Sequence, residues 1–232
     1  MSFSSQEQGV ASLTIENYVK AIYQIGLKQQ GRVTVTTGEI AESLLVSPGT
    51  VTSMLKTLNE AGLAKYIPYE GVQLTPAGRT LALRVLRRHR LIELFLVRTL
   101  ELAWDEVHEE AENMEHAVSD LLIDRIDAYL GFPASDPHGD PIPKADGTIA
   151  EEAGRMLSQL AVGEEFQIVR VQDQTPDFLR YLTQSGLQLG AAGRMAAIQP
   201  EAGVLTVEVA GQATTLARSI AEQVLVIAPA RQ

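Results

Sequence analysis

Six side chains of metal-ligand type crowd two short stretches of this chain: His89 and Glu93, then His108, Glu112, Glu115 and His116. On a helix, steps of three and four bring side chains to one edge. His108, Glu112 and Glu115, with His116 beside them, would form such an edge, and His89 with Glu93 a second i, i+4 pair. Three of the chain's four histidines fall in these two segments. A solvated acidic helix has no need to sort its histidines next to apolar positions such as Val107, Ala111, Met114 and Val118. The pattern therefore points to a cation held between two helices. Imidazole and carboxylate donors without sulfur suit Mn(II), Fe(II), Co(II) or Zn(II), and oxygen-rich six-coordinate sites favour Mn(II) and Fe(II). His138, flanked by Asp136 and Asp140 in a run rich in Pro and Gly, reads as a solvated loop histidine and not as a ligand.

The elements that must position these residues begin with composition. The chain has 232 residues, 45% apolar and 21% charged, which suits two or three globular cores. It has no cysteine, which excludes disulfides and thiolate metal sites. No apolar run reaches membrane-span length and Met1 to Val10 carries no signal pattern, so the expected location is cytoplasmic and away from membranes. The net charge of −10 is unevenly spread. Residues 1–90 hold ten Lys/Arg and six Asp/Glu (+4), residues 91–150 three and fourteen (−11), and residues 151–232 six and nine (−3). The middle attracts cations, whereas the first part is able to approach phosphate.

In that first part Leu13, Tyr18, Ala21, Ile22 and Ile25 recur at helical spacing up to Gly31. Thr36-Thr37 caps a short helix, Gly38 to Leu44. Ser47 and Pro48 then start a third helix, from about Pro48 to Ala61, with Val51, Met54, Leu55 and Leu58 as its core side. Two short helices joined by a tight turn form a helix-turn-helix signature. The runs Leu63–Ile67 and Val72–Leu74 about Pro68-Tyr69-Glu70-Gly71 add a hairpin, the wing of a winged helix. On this reading Ser47, Pro48, Gly49, Thr50, Thr52 and Ser53 face the major groove of double-stranded DNA, and Lys56 reaches phosphate. Small hydroxyl residues discriminate bases weakly, so a homodimer on a two-fold site is expected.

A long helix follows from Thr75-Pro76 to about Leu102, then the acidic helix, then a helix patterned by Leu121, Leu122, Ile126 and Leu130 that offers a dimer seam. Gly131 to Gly147 reads as a linker or extended loop. From Leu160 the pattern turns to short strands, Glu165 to Val171, Gln188-Leu189, Arg194 to Ile198, Val204 to Val209 and Gln223 to Ile227, with one helix at Pro176 to Ser185. That is the pattern of a small β-barrel.

Several motifs carry a family resemblance: Ile15-Glu16-Asn17-Tyr18, Ile40-Ala41 with Ser47-Pro48-Gly49-Thr50-Val51, Leu74-Thr75-Pro76-Ala77-Gly78-Arg79, Arg88-His89-Arg90-Leu91 with Glu93, Val107 to Glu112, Glu115-His116, and Gly139-Asp140-Pro141-Ile142-Pro143. In these the chain resembles the diphtheria toxin repressor family of metal-dependent regulators over about residues 12–145, and its manganese-responsive members in particular. The resemblance implies a mainly α fold with a β C-terminal part: a winged helix-turn-helix (1–75), a helical dimerisation and metal-binding domain (76–147) and an SH3-like, FeoA-like barrel (148–232). It implies a homodimeric repressor, not an enzyme, that binds a palindromic operator when loaded with Mn(II) or Fe(II), two ions per subunit. Carried over by residue, it implies one site of His89, Glu93 and His108, and another of Glu112, Glu115 and His116 completed by the first helix. Glu at position 112 is the manganese-type residue, where iron-type members have Cys. The first-helix ligand position is Asn17, a neutral donor, with Glu16 beside it, and Gln172 and Asp173 stand nearest to the barrel ligands of the family.

Two other readings exist. A di-metal carboxylate oxidase or storage protein wants Glu-x-x-His on each of two helices, and this chain has none. A winged-helix regulator sensing an organic ligand would leave the acidic helices merely solvated.

Overall fold

The computed structural model describes residues 5–28, 34–150 and 154–229, with side chains from Leu13 onward. The helix stop expected at Gly31 lies outside the described residues. The chain divides into two compact units, Met1–Arg88 with Pro143–Thr148, and His89–Ile142 with Ile149–Gln232.

The first unit is built on local signals. Helix α1 (Ser5–Lys28) buries Tyr18, Val19, Ile22 and Tyr23. Helix α2 (Thr37–Ser43) starts at a capping box: Glu39 N donates to Thr36 Oγ1 at 3.3 Å, and Thr36 N donates to Glu39 Oε2 at 2.7 Å. Helix α3 (Pro48–Glu60) starts at Ser47, whose Oγ accepts from Thr50 N at 3.2 Å, and buries Val51, Leu55 and Leu58. Strands β1 (Ala64–Ile67) and β2 (Gly71–Leu74) pair antiparallel from Ala64↔Leu74 to Ile67↔Gly71, and Val35 bridges to Val72. Helix α4 (Pro76–Leu100) begins with Gly78 against Leu63, where a Cβ would collide with the Leu63 carbonyl, so the sequence Thr-Pro-Ala-Gly seats the helix on the wing.

The second unit takes α4 from His89 onward. Leu91, Ile92, Leu94 and Leu96 form one core with Val107 and Ala111 of α5 (Val107–Met114), Ile123 and Ile126 of α6 (Asp120–Tyr129), and Ile142. On α6 the apolar positions divide between two faces. Ile123 and Ile126 face inward, whereas Leu121 and Leu122 are 69% and 47% exposed. The helix starts at its Ser119 N-cap, and the 123/126 stripe packs with α4 and α5.

Residues 131–142 are not a linker. They form a packed strap without regular structure. Asp136 N donates to Asp140 O, Ser135 bridges to Pro141, and Asp136, His138, Asp140 and Ile142 are buried.

The β part is one antiparallel sheet in the order β3-β8-β4-β5-β6-β7: β3 (Arg155–Met156), β4 (Glu165–Val171), β5 (Ala192–Gln199), β6 (Val204–Val209), β7 (Gln212–Ala217) and β8 (Val224–Ile227). Bulges at Ile168/Arg170 and Met195/Ala197 curl it around Phe166, Ile168, Met195, Leu205 and Val226, and α7 (Pro176–Gln184) contributes Leu179 and Leu182. The expected strand at Gln188-Leu189 is a turn, because Gly186 and Gly190 on either side have φ of 71° and 83°. The architecture is mainly helical followed by a small SH3-like β part, as the resemblance implies. No helix among the described residues is long and apolar enough to cross a membrane.

Candidate metal centre

One turn of α4 places His89 beside Glu93, with His89 Nε2 3.0 Å from Glu93 Oε1. Burial of Val107 and Ala111 fixes α5 so that His108 meets the same carboxylate, Nδ1 to Oε1 at 3.3 Å. The other nitrogen of His89, Nδ1, lies 2.7 Å from Glu115 Oε2 and 3.8 Å from Glu112 Oε1. His116 Nε2 is 3.2 Å from Glu115 Oε1. Helix α5 ends at Met114, so His116 sits in the turn beyond it and not on the helical edge that its spacing suggested. The two sets implied by the resemblance therefore meet at His89. Two groups result, His89/Glu93/His108 and His89/Glu112/Glu115, each with one donor atom per residue and all of these within 4.8 Å of one another.

A third group, Glu93/Asp136/His138, meets the same condition, and the solvated-loop reading of His138 is incorrect. His138 is fully buried, because the strap folds it under Trp104 with the rings stacked at 6.0 Å and 19°. Its Nε2 lies 2.8 Å from the Trp104 carbonyl, which can only accept, so Nε2 carries the proton. In the neutral ring Nδ1 is then the lone pair; it lies 3.9 Å from Glu93 Oε2 and has no hydrogen-bond partner among the described residues. A second nitrogen held in one tautomer by a carbonyl is the usual preparation of a metal-binding imidazole. Asp136 and His138 are the residues that sequence reasoning missed. Their signal is the Asp-Pro-His-Gly-Asp run, but burial depends on long-range packing.

The two buried carboxylates shift in opposite directions. Burial pushes the Glu93 carboxyl upward, but the charge of His89 and the hydrogen bonds to His108 and His89 outweigh it and hold the group below its ordinary range. Asp136 is pushed well above its ordinary value by burial and by the neighbouring carboxylates of Asp140 and Glu93, only partly offset by Arg90 and the His138 N–H. Imidazole and carboxylate oxygen donors with a prepared buried nitrogen fit a divalent ion of borderline to hard character.

Glu16 and Asn17 are on α1 in the first unit, where Glu16 Oε2 is 3.9 Å from Arg88 Nη1. Asp173 Oδ1 accepts from Thr175 N at 2.9 Å and is in none of the three donor groups, and the backbone N of Gln172 donates to Gln223 O at 2.8 Å. At the start of α3, Ser47, Pro48, Gly49, Thr50, Ser53 and Lys56 are exposed and Thr52 is half-buried, its Oγ1 donating to Pro48 O at 2.9 Å.

Comparison with known proteins gives three matches along the chain. Residues 12–72 match the model described as iron dependent repressor, N-terminal DNA binding domain. Residues 75–144 match its metal binding and dimerisation domain, and residues 155–228 the FeoA domain. The chain is 38% identical over 130 residues to the iron-dependent repressor IdeR of Mycobacterium tuberculosis, covering 56% of this chain and 55% of that relative. It thus spans about half the length of this curated relative. It is 30% identical over 187 residues to the diphtheria toxin repressor of Corynebacterium glutamicum, covering 76% of this chain and 81% of that one. Among solved structures, a manganese-dependent transcriptional repressor in complex with manganese aligns with a TM-score of 0.83 at 39% identity over 93% of this chain and all of that chain. The apo form of the manganese-activated repressor ScaR aligns with 0.76 at 35% identity, over 92% of this chain and all of that one.

Proposed function

The chain belongs to the iron-dependent, or diphtheria toxin, repressor family, and from that premise we propose that it is a cytoplasmic metal-dependent transcriptional repressor, not an enzyme. Mn(II) or Fe(II), two ions per subunit, promotes binding of a homodimer to a palindromic operator. The observation that carries the reading is the convergence of His89, His108 and His138 on the two oxygens of buried Glu93, an arrangement with donors for a dication and no activated nucleophile.

In this reading His89, Glu93 and His108 hold one ion, with Asp136 and His138 as further donors at Glu93. Glu112, Glu115 and His116 serve the other, and Gln172 and Asp173 are additional oxygen donors. The ion supplies positive charge that neutralises these carboxylates. The chain's own residues do the rest: the His138 proton on Nε2 fixes the ring, and Arg90 orients the strap through Pro141 O at 2.6 Å. Ser47, Pro48, Gly49, Thr50, Thr52 and Ser53 read the major groove and Lys56 touches phosphate. The functional division is 1–75 for DNA, 76–147 for metal and dimer, and 148–232 for the barrel. The exposed Leu121 and Leu122 of α6 suit the dimer seam. Glu112 in place of a thiolate favours Mn(II) at least as well as Fe(II).

The test is selection of duplexes from a random pool in Mn(II), followed by fluorescence anisotropy with and without Mn(II) or Fe(II) for the parent and His108→Ala. Metal-dependent binding by the parent, lost in H108A, supports the reading. Binding that ignores metal would favour a regulator of organic ligands, and failure to enrich any duplex would remove the regulator readings. Activation by Fe(II) alone under anaerobic conditions would refute the Mn(II) assignment.

A further inference from the structure

The strap that carries Asp136 and His138 is held from both sides by a residue outside all three donor groups. Asp140 is buried, and its Oδ2 accepts from Arg90 Nη2 at 3.0 Å and from Gln174 Nε2 at 3.2 Å. Its Oδ1 pairs with Arg170 Nε. Arg90 is the α4 residue next to His89 and also lies 3.5 Å from Asp136 Oδ2. Arg170 and Gln174 belong to β4 and the segment that follows it. Two guanidinium groups, one from the metal-bearing helix and one from the sheet, thus meet on one carboxylate.

The backbone repeats the connection. Val171 N donates to His138 O at 3.0 Å. Gly139, at φ 88°, presses so close to β4 that a Cβ would collide with the Val169 carbonyl and Arg170 Cα. Asp136 Oδ1 accepts from both His138 N and Asp140 N, at 2.8 and 2.9 Å, so the position of Asp140 is tied to that of both strap donors.

We propose that Asp140 is a positioning residue of the metal centre, fastening β4 to the strap so that the barrel helps to hold the ion. This rests on the metal-binding reading above. Removing one partner of a buried ionic cluster leaves the others uncompensated, and residues that orient ligands typically govern metal affinity by about 10–100-fold. Asp140 is tied to the strap donors and is in none of the donor groups, so Asp140→Asn is expected at the lower end, roughly tenfold weaker Mn(II) binding. Arg170→Gln, on β4 and in none of the donor groups, is expected to weaken it in the same direction. The double variant is expected to be little weaker than either single one, because both break the same link.

Mn(II) titration followed by the fluorescence of Trp104, the chain's one tryptophan and stacked on His138, reads the affinity. Melting of the metal-free proteins reads fold stability separately. Weakened Mn(II) binding with non-additivity supports the proposal. A lower melting temperature in D140N and R170Q with parental Mn(II) affinity means a merely structural clamp and overturns it, and R170Q decides the matter if D140N does not fold. Glu93→Gln separates the two levels of the argument. If E93Q binds Mn(II) as tightly as the parent, the metal reading fails and takes this inference with it. If E93Q loses Mn(II) while D140N and R170Q keep it, only the positioning role is refuted.

Discussion

Replacing Glu93 by Gln is the most informative single change, because each carboxylate oxygen faces a different group. Oε1 lies 3.0 and 3.3 Å from His89 and His108, and Oε2 lies 3.9 Å from His138. Gln keeps the shape and removes the charge. At an effective dielectric of about 20 two unit charges 4 Å apart interact by about 4 kcal/mol, so a carboxylate beside a dication contributes about 8 kcal/mol before dehydration. If dehydration cancels about two thirds, the ~2.7 kcal/mol left is about a hundredfold in affinity. At a Mn(II) concentration of about 100 Kd the parent gains about 2.7 kcal/mol on binding one ion, whereas the variant, then near its own Kd, gains about 0.4 kcal/mol. For a chain of this size that converts to a rise in Tm of about 5–11 °C for the parent and about 1 °C for E93Q. Differential scanning fluorimetry with and without Mn(II) measures both. H108A and D136N each damage one Glu93 group and should retain intermediate shifts. An E93Q shift equal to the parent's, or equal to that of H108A, would refute the sharing of Glu93 between groups.

Leu121→Glu with Leu122→Glu places charge on the exposed face of α6 and should convert a dimer to monomers in sedimentation velocity. An unchanged dimer would move the seam elsewhere. Ser47→Ala removes the α3 cap to Thr50 N and should cost about 1 kcal/mol in urea unfolding, and no measurable loss would mean that the cap is redundant. Lys56→Ala should weaken binding to all duplexes similarly and lower the slope of log K against log salt by about 1, whereas a change confined to one base position would make Lys56 a reader of sequence.

The parts of the fold legible in the sequence are those set by neighbours in the chain. Thr36 with Glu39, and Ser47 with Pro48, mark the starts of α2 and α3 because caps act within three residues. The long periodic α4 and the pairing of His89 with Glu93 follow from helical spacing alone. Strand β7 stayed hidden because only Leu216 of Gln212–Ala217 is buried, which leaves no alternation to read, and its pairing with β6 defines it. The α6 face was ambiguous, since Leu121, Leu122, Ile123 and Ile126 offer two apolar stripes and tertiary contact selects one. His138 escaped for a related reason. Its burial follows from Gly139 lying against β4, some thirty residues on, and from Trp104 above it, contacts with no local trace.

Coupling of metal and DNA binding has a reciprocal consequence: whatever factor Mn(II) adds to DNA affinity, DNA must add to Mn(II) affinity. The direct measurement is a pair of titrations on one selected duplex, DNA binding with and without Mn(II) by anisotropy, and Mn(II) binding with and without that duplex by Trp104 fluorescence. The same factor is expected in both directions, within the range of about 5–150-fold typical of such coupling. DNA affinity indifferent to Mn(II), with Mn(II) affinity indifferent to DNA, would contradict it.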